Sequence, residues 1–243
     1  MSNWDTVGSV VNDAAVELGL ISADIPDPFG SSDPSIVQLL RHLKSLGQDL
    51  ARDHQWTHLQ KQYGFATQVG VDTYELPPDY QRFIDQTGWN RTRQMKLTGP
   101  LSPQAWQQMQ VMTSGGIVDV MYRIVGNALK LFPAPSAGDN VSYEYISSNW
   151  VASGGEETPN SDEPMTTGDT LWFDRRLLVC GLKLRWLRAK GFDSTAAQDD
   201  YDRALARAQG GDGVAPVLNL NVQPFSGNRV LDAANLPDTG LGT

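Results

Sequence analysis

The chain has 243 residues, of which 40% are hydrophobic and 19% charged, the balance of an ordinary folded protein with room for one large or two small domains. A net charge of −9 disfavours tight phosphate binding, although an acidic wall suits DNA that must slide past without sticking. One cysteine excludes an intrachain disulfide framework, no apolar run approaches the ~20 residues of a membrane span, and MSNWDTVGSV lacks the features of a signal peptide, so assembly in a cytoplasm is expected.

Val7, Val10, Val11, Ala14 and Leu18 recur at helical spacing, with Asp5 as cap and Gly19 as stop. The stretch from Ile21 to Ser32, rich in proline and glycine, reads as a linker. Ser32 or Asp33 then caps a second helix with Pro34 in its first turn. Ile36, Leu39, Leu40, Leu43, Leu46 and Leu50 give it one apolar face, running to about Gln55. From Gln62 to Val151 the period changes to two. Tyr63, Phe65 and Thr67 alternate, a turn at Gly70 leads into Thr73–Leu76, and Pro77-Pro78 stops that strand. Short apolar segments follow at Phe83-Ile84 and Met95–Leu97, and Ser102-Pro103 opens a short helix to about Met112. Gly126-Asn127 separates two strands, Val118–Val125 and Ala128–Phe132, and Val141, Tyr143 and Tyr145 alternate again.

Asp169 to Lys190 predicts one long helix, capped by Asp169 and stopped by Gly191. Phe173, Leu177, Cys180, Leu184 and Leu187 form one stripe; Leu171, Leu178, Leu182 and Trp186 form a second on the opposite side. A helix apolar on two sides is covered on two sides. Both covers come from its own chain, or the second stripe is a subunit interface of the kind that closes rings. A last helix carries Ala197, Tyr201, Ala204, Leu205 and Ala208 from a cap at Asp193 or Ser194 to Gly210-Gly211. Beyond it, Val217, Leu218, Leu220, Val222, Phe225, Val230, Leu231 and Leu236 are scattered among proline, glycine and asparagine. Such a segment cannot bury enough of its own surface to fold alone, and is expected to order against another surface. Fully extended it would reach about 105–115 Å.

The fold class expected is α+β: a helical bundle (1–58 and 168–210), a β-rich domain inserted at 59–152, a connector loop at 153–167 and an extended C-terminal arm at 211–243. Catalytic patterns are absent: no P-loop, no GxSxG, no CxxC. His54 and His58 stand at the i, i+4 spacing of a metal pair, but with no third ligand in sequence they read as a polar helix end. Cys180 reads as a packing residue, and Glu156-Glu157 and Asp199-Asp200 as solvated charges. The seven tryptophans suit cores and interfaces better than a sugar-binding face, and Arg91 and Arg93 are weak evidence for phosphate contact. No catalytic residue, metal or cofactor is expected.

Six stretches together carry a resemblance: YELPPDYQRFID (Tyr74–Asp85), WNRTR (Trp89–Arg93), LTGPLSPQAW (Leu97–Trp106), YEYISSNWV (Tyr143–Val151), LKLRWLRAKGFD (Leu182–Asp193) and NLPDTGLG (Asn235–Gly242). In this order they resemble the head-to-tail adaptors of short-tailed bacteriophages, the tail tubular protein A group. The resemblance implies a structural virion protein at the head–tail junction, in a homo-oligomeric ring of about twelve subunits. It further implies a portal protein above, contacted by the C-terminal arm, and tail nozzle or tail fibre proteins below. Double-stranded DNA would pass through the channel without specific binding, and no membrane is involved. The alternatives are a virion-associated peptidoglycan-cleaving enzyme or a carbohydrate-binding tail protein, each with little support in the residues.

Overall fold

The computed structural model describes residues 4–111, 120–135 and 138–213. The elements begin with β1 (Asp5–Thr6), α1 (Val7–Glu17), α2 (Pro34–Asp53), β2 (Gln60–Ala66), β3 (Thr73–Glu75) and β4 (Tyr80–Phe83). Next come β5 (Trp89–Asn90), β6 (Met95–Lys96), α3 (Pro103–Val111), β7 (Met121–Val125) and β8 (Ala128–Phe132). The chain continues through β9 (Asn140–Ser147), β10 (Val151–Ala152), β11 (Thr170–Leu171), α4 (Arg175–Lys190) and α5 (Thr195–Asp212). Helices and sheets are both substantial, so the fold is α+β. Two compact units divide the described residues: 4–63, 77–84 and 144–213 in one, 64–76, 85–111, 120–135 and 138–143 in the other. The segments 77–84 and 144–152, which period-two patterning groups with the β-rich span, thus belong with the helices.

In the first unit α4 packs against α1, α2 and α5. Its start corrects the sequence reading. Asp174, not Asp169, is the cap, its carboxylate accepting from Leu177 N at 3.0 Å. Thr170 and Leu171 are extended, pairing with Asp5 and Thr6 on one side and Val151 and Ala152 on the other. Those partners are remote in sequence, and no local period encodes them. Asp169 closes the preceding loop instead, accepting from Met165 N, Thr166 N, Thr166 Oγ1 and Ser153 Oγ. Burial pushes its pKa up, but these four donors outweigh burial and hold it below the usual carboxylate value. At the other end Gly191 takes φ +74°, the left-handed stop expected there. Two smaller corrections follow the same logic. Thr6 rather than Asp5 caps α1, and α5 runs on through Gly210 and Gly211 to Asp212.

The cations flanking the α4 stripes are largely taken up by the helices beside it. Glu17 on α1 receives Arg176 and Lys183, Asp13 receives Arg175, and Asp49 on α2 receives Arg185. Such surface pairs add only about 0–1 kcal/mol each, so they orient α4 more than they stabilise it. Stability comes from burial: Leu177, Leu178 and Leu182 are fully covered, worth about 1.5–3 kcal/mol apiece. Close approach is set by glycine. A Cβ at Gly181 would lie 2.6 Å from a Leu46 methyl, and one at Gly47 would overlap the Trp150 indole.

The span 153–167 is fastened rather than free. Val151 bridges Ser161, Trp150 Nε1 donates to the Asp162 carbonyl at 2.8 Å, and Lys44 pairs with Glu163. Beside it, Lys61, Tyr145 and Ser147 all donate to the Asp79 carboxylate, at 2.7, 2.8 and 2.7 Å. Asp79 lies within the YELPPDYQRFID stretch and pins β4 to the end of β9.

The second unit holds the sheet β3-β8-β7, all antiparallel, with the β5–β6 hairpin and α3. At the β7–β8 turn Gly126 has φ +61° while Asn127 keeps a negative φ. Glycine leads because a type II′-like turn needs its freedom at the first central position, which explains the Gly-Asn order. β9 does not alternate as expected: Val141, Ser142, Tyr143, Tyr145, Ile146 and Ser147 are all buried, so both faces of this strand are covered.

Candidate docking surfaces

Each expected site residue has a definite place or lies outside the described residues. The arm positions Val217, Leu218, Leu220, Val222, Phe225, Val230, Leu231 and Leu236 are in the latter group. Of the second stripe, Leu178 and Leu182 on α4 are fully buried inside their own chain and Trp186 is 9% exposed; Leu171, also fully buried, is on β11. Side chains so covered have next to no surface left for another subunit. The subunit-interface reading of this stripe is therefore corrected: α1, α2, α5 and the small sheet β1-β11-β10 supply the cover. The period of α4 revealed that two covers were needed, not whose they were.

The last turn of α5 is anchored. Asp212, in the last turn of α5, accepts from Thr57 N at 2.9 Å and Thr57 Oγ1 at 2.7 Å. His54 Nε2 and His58 Nδ1 each lie 3.5 Å from its carboxylate, whose side chain is only 8% exposed. Burial pushes the His58 pKa down, opposed by the Asp212 charge, so His58 is neutral at pH 7. Sequence reading noticed the histidine pair but not Asp212, which is remote in the chain and hidden behind two glycines. Among the described residues no group of three His, Cys, Asp or Glu is arranged to hold a metal.

Next to this anchor lies an aromatic wall. Trp4 stacks on Trp172 with ring centres 5.5 Å apart and planes at 14°, and His58 tilts against Trp4 at 5.2 Å. Trp4 and Trp172, with Ala152, Thr170, Glu156 and Glu157, line an open cavity of about 410 Å³. Both glutamates are exposed. The other groups singled out earlier are engaged internally. Arg93 pairs with Asp139, which also accepts from Asn90, and Arg91 Nε donates to Ser142 Oγ at 2.7 Å. Cys180 is buried; burial raises its pKa against the opposing pull of Arg176 and Lys183, which leaves a poor nucleophile.

The described residues thus present an open aromatic-walled cavity and an anchored last turn of α5. Comparison with known families makes this specific. The SU10 adaptor protein model matches residues 5–219, most of the chain, and the chain belongs to that family of phage head–tail adaptors. It is a structural virion component that associates with other head or tail proteins. No curated protein matches the chain. No helix among the described residues is long and apolar enough to cross a membrane.

Proposed function

We propose that copies of this adaptor form a ring, of about twelve subunits by analogy with the short-tailed phage group it resembles, clamped between the portal and the tail nozzle or tail fibre proteins. DNA passes through the channel, and residues 214–243 supply the contact with the portal. The family match over residues 5–219 carries this reading. Two properties of the chain support it. Asp212 fixes where the apolar-rich C-terminal segment begins, so a docked arm would be tied directly to the helical unit. A net charge of −9 keeps a duplex from adhering to the channel wall. The test is a titration of purified chain against portal rings, with and without residues 214–243. A stable complex formed only by the full chain supports the arm's role, and equal binding by both removes it.

A further inference from the structure

Two sets of charges, one in each unit, have no ion-pair partner among the described residues, and their chemistry is complementary. In the second unit the β7–β8 register sets Arg123 directly opposite Lys130. Side chains in register project from the same face, so two half-exposed cations lie side by side beside Val125 and Ala128. Like charges placed this way repel. No ion pair among the described residues reaches either one, and Glu75, on the same face opposite Ala128, does not pair with them. In the first unit Glu156 and Glu157 rim the cavity walled by Trp4 and Trp172, and no cation among the described residues meets either carboxylate. Other carboxylates of the first unit, Glu17, Asp49 and Asp79, do meet cations.

Closing a ring requires a heterologous contact, in which one patch of a copy meets a different patch of the next. We propose that Arg123 and Lys130 of one copy dock on the acidic, indole-walled cavity of its neighbour. The guanidinium lies over the Trp4–Trp172 surface and the ammonium between Glu156 and Glu157. This rests on the ring reading above and adds to it the two faces that meet. A second copy suits the observations better than nucleic acid does. Phosphate would satisfy the two cations but leave the acidic cavity unfilled, and the chain as a whole repels it.

The test begins with zero-length carbodiimide cross-linking of purified virions, which joins a lysine to a carboxylate only in direct contact. Lys130 bonded to Glu156 or Glu157 in the dimer-mass band is the expected product. Abundant cross-links between copies that omit this pair would overturn the docking and leave the ring standing. Virions with a single copy of the chain would defeat both. A charge exchange provides the second arm. R123E/K130E and E156K/E157K phage should each assemble about tenfold less well, a loss equal to about 1.4 kcal/mol, and the four-substitution variant should recover. Failure of the fourfold variant to recover, while its purified chain melts like wild type, counts against the contact. Salt-sensitive binding of the full chain to a short duplex, abolished by R123E/K130E, would assign the cations to phosphate and also overturn it.

Discussion

Gly47 is the position where the packing of the first unit can be tested most sharply. On an exposed helix, Gly→Ala adds about 0.8–1 kcal/mol of stability. At Gly47 the new Cβ would fall inside the Trp150 indole, itself fully buried and tied to the Asp162 carbonyl. Overpacking a rigid core group costs about 1–3 kcal/mol and sometimes more. Gly47→Ala should therefore lower stability by about 2 kcal/mol, a fall of about 4–8 °C in Tm for a chain of this size. The diagnostic step is the cycle with Trp150→Ala, which alone should cost about 3–5 kcal/mol. In that background the clash is gone and Gly47→Ala should stabilise by up to about 1 kcal/mol, a coupling of about 3 kcal/mol. Urea unfolding at constant slope gives all four corners of the cycle. Additive effects, or an alanine that stabilises the wild-type chain, would refute the contact.

Other perturbations test the remaining features. Burial lowers the pKa of His58 and of His42 below the ordinary 6.5, so the unfolded chain takes up protons there that the folded chain resists. Stability should be full above that value and decline as pH falls from 7 to 5; H42Q/H58Q should flatten the decline, and an unchanged slope would contradict the assignment. Replacing Asp212 by alanine removes the carboxylate that accepts from Thr57 N and Oγ1, leaving only the longer bond from Oγ1 to the backbone carbonyl at 3.3 Å, and should speed hydrogen exchange in the last turn of α5 by about tenfold, leaving its middle turns alone. Uniform exchange along α5 would show that the anchor is idle. Asp79→Ala removes the acceptor that Lys61, Tyr145 and Ser147 share and should cost about 2–4 kcal/mol in thermal unfolding, with a loss below about 1 kcal/mol contradicting the hub.

The local signals were legible in the sequence and the long-range ones were not. Asp33-Pro34 and Gly191 act through the backbone within one turn, so the start of α2 and the end of α4 could be read directly. The two apolar stripes of α4 correctly implied cover on both sides. By contrast, Thr170 and Leu171 are strand only because Asp5, Thr6, Val151 and Ala152 lie alongside, partners no window of neighbours contains. The same holds for Asp212, whose contact with Thr57 goes with a helix that runs on through two glycines, against their propensity. The alternation of Val141, Tyr143 and Tyr145 hid a strand covered on both faces because the buried residues Ser142 and Ser147 beside them are polar and Glu144 between the tyrosines is exposed. Order along the chain, rather than any single motif, indicated the adaptor class, and the family match agrees.

The central claim is tested most directly by averaging purified virions at the head–tail junction by electron cryomicroscopy. The account predicts a closed ring of copies of this chain beneath the portal, its C-terminal residues running upward along portal subunits. Virions in which the chain is missing from that junction, or present there without contact between copies, would contradict it.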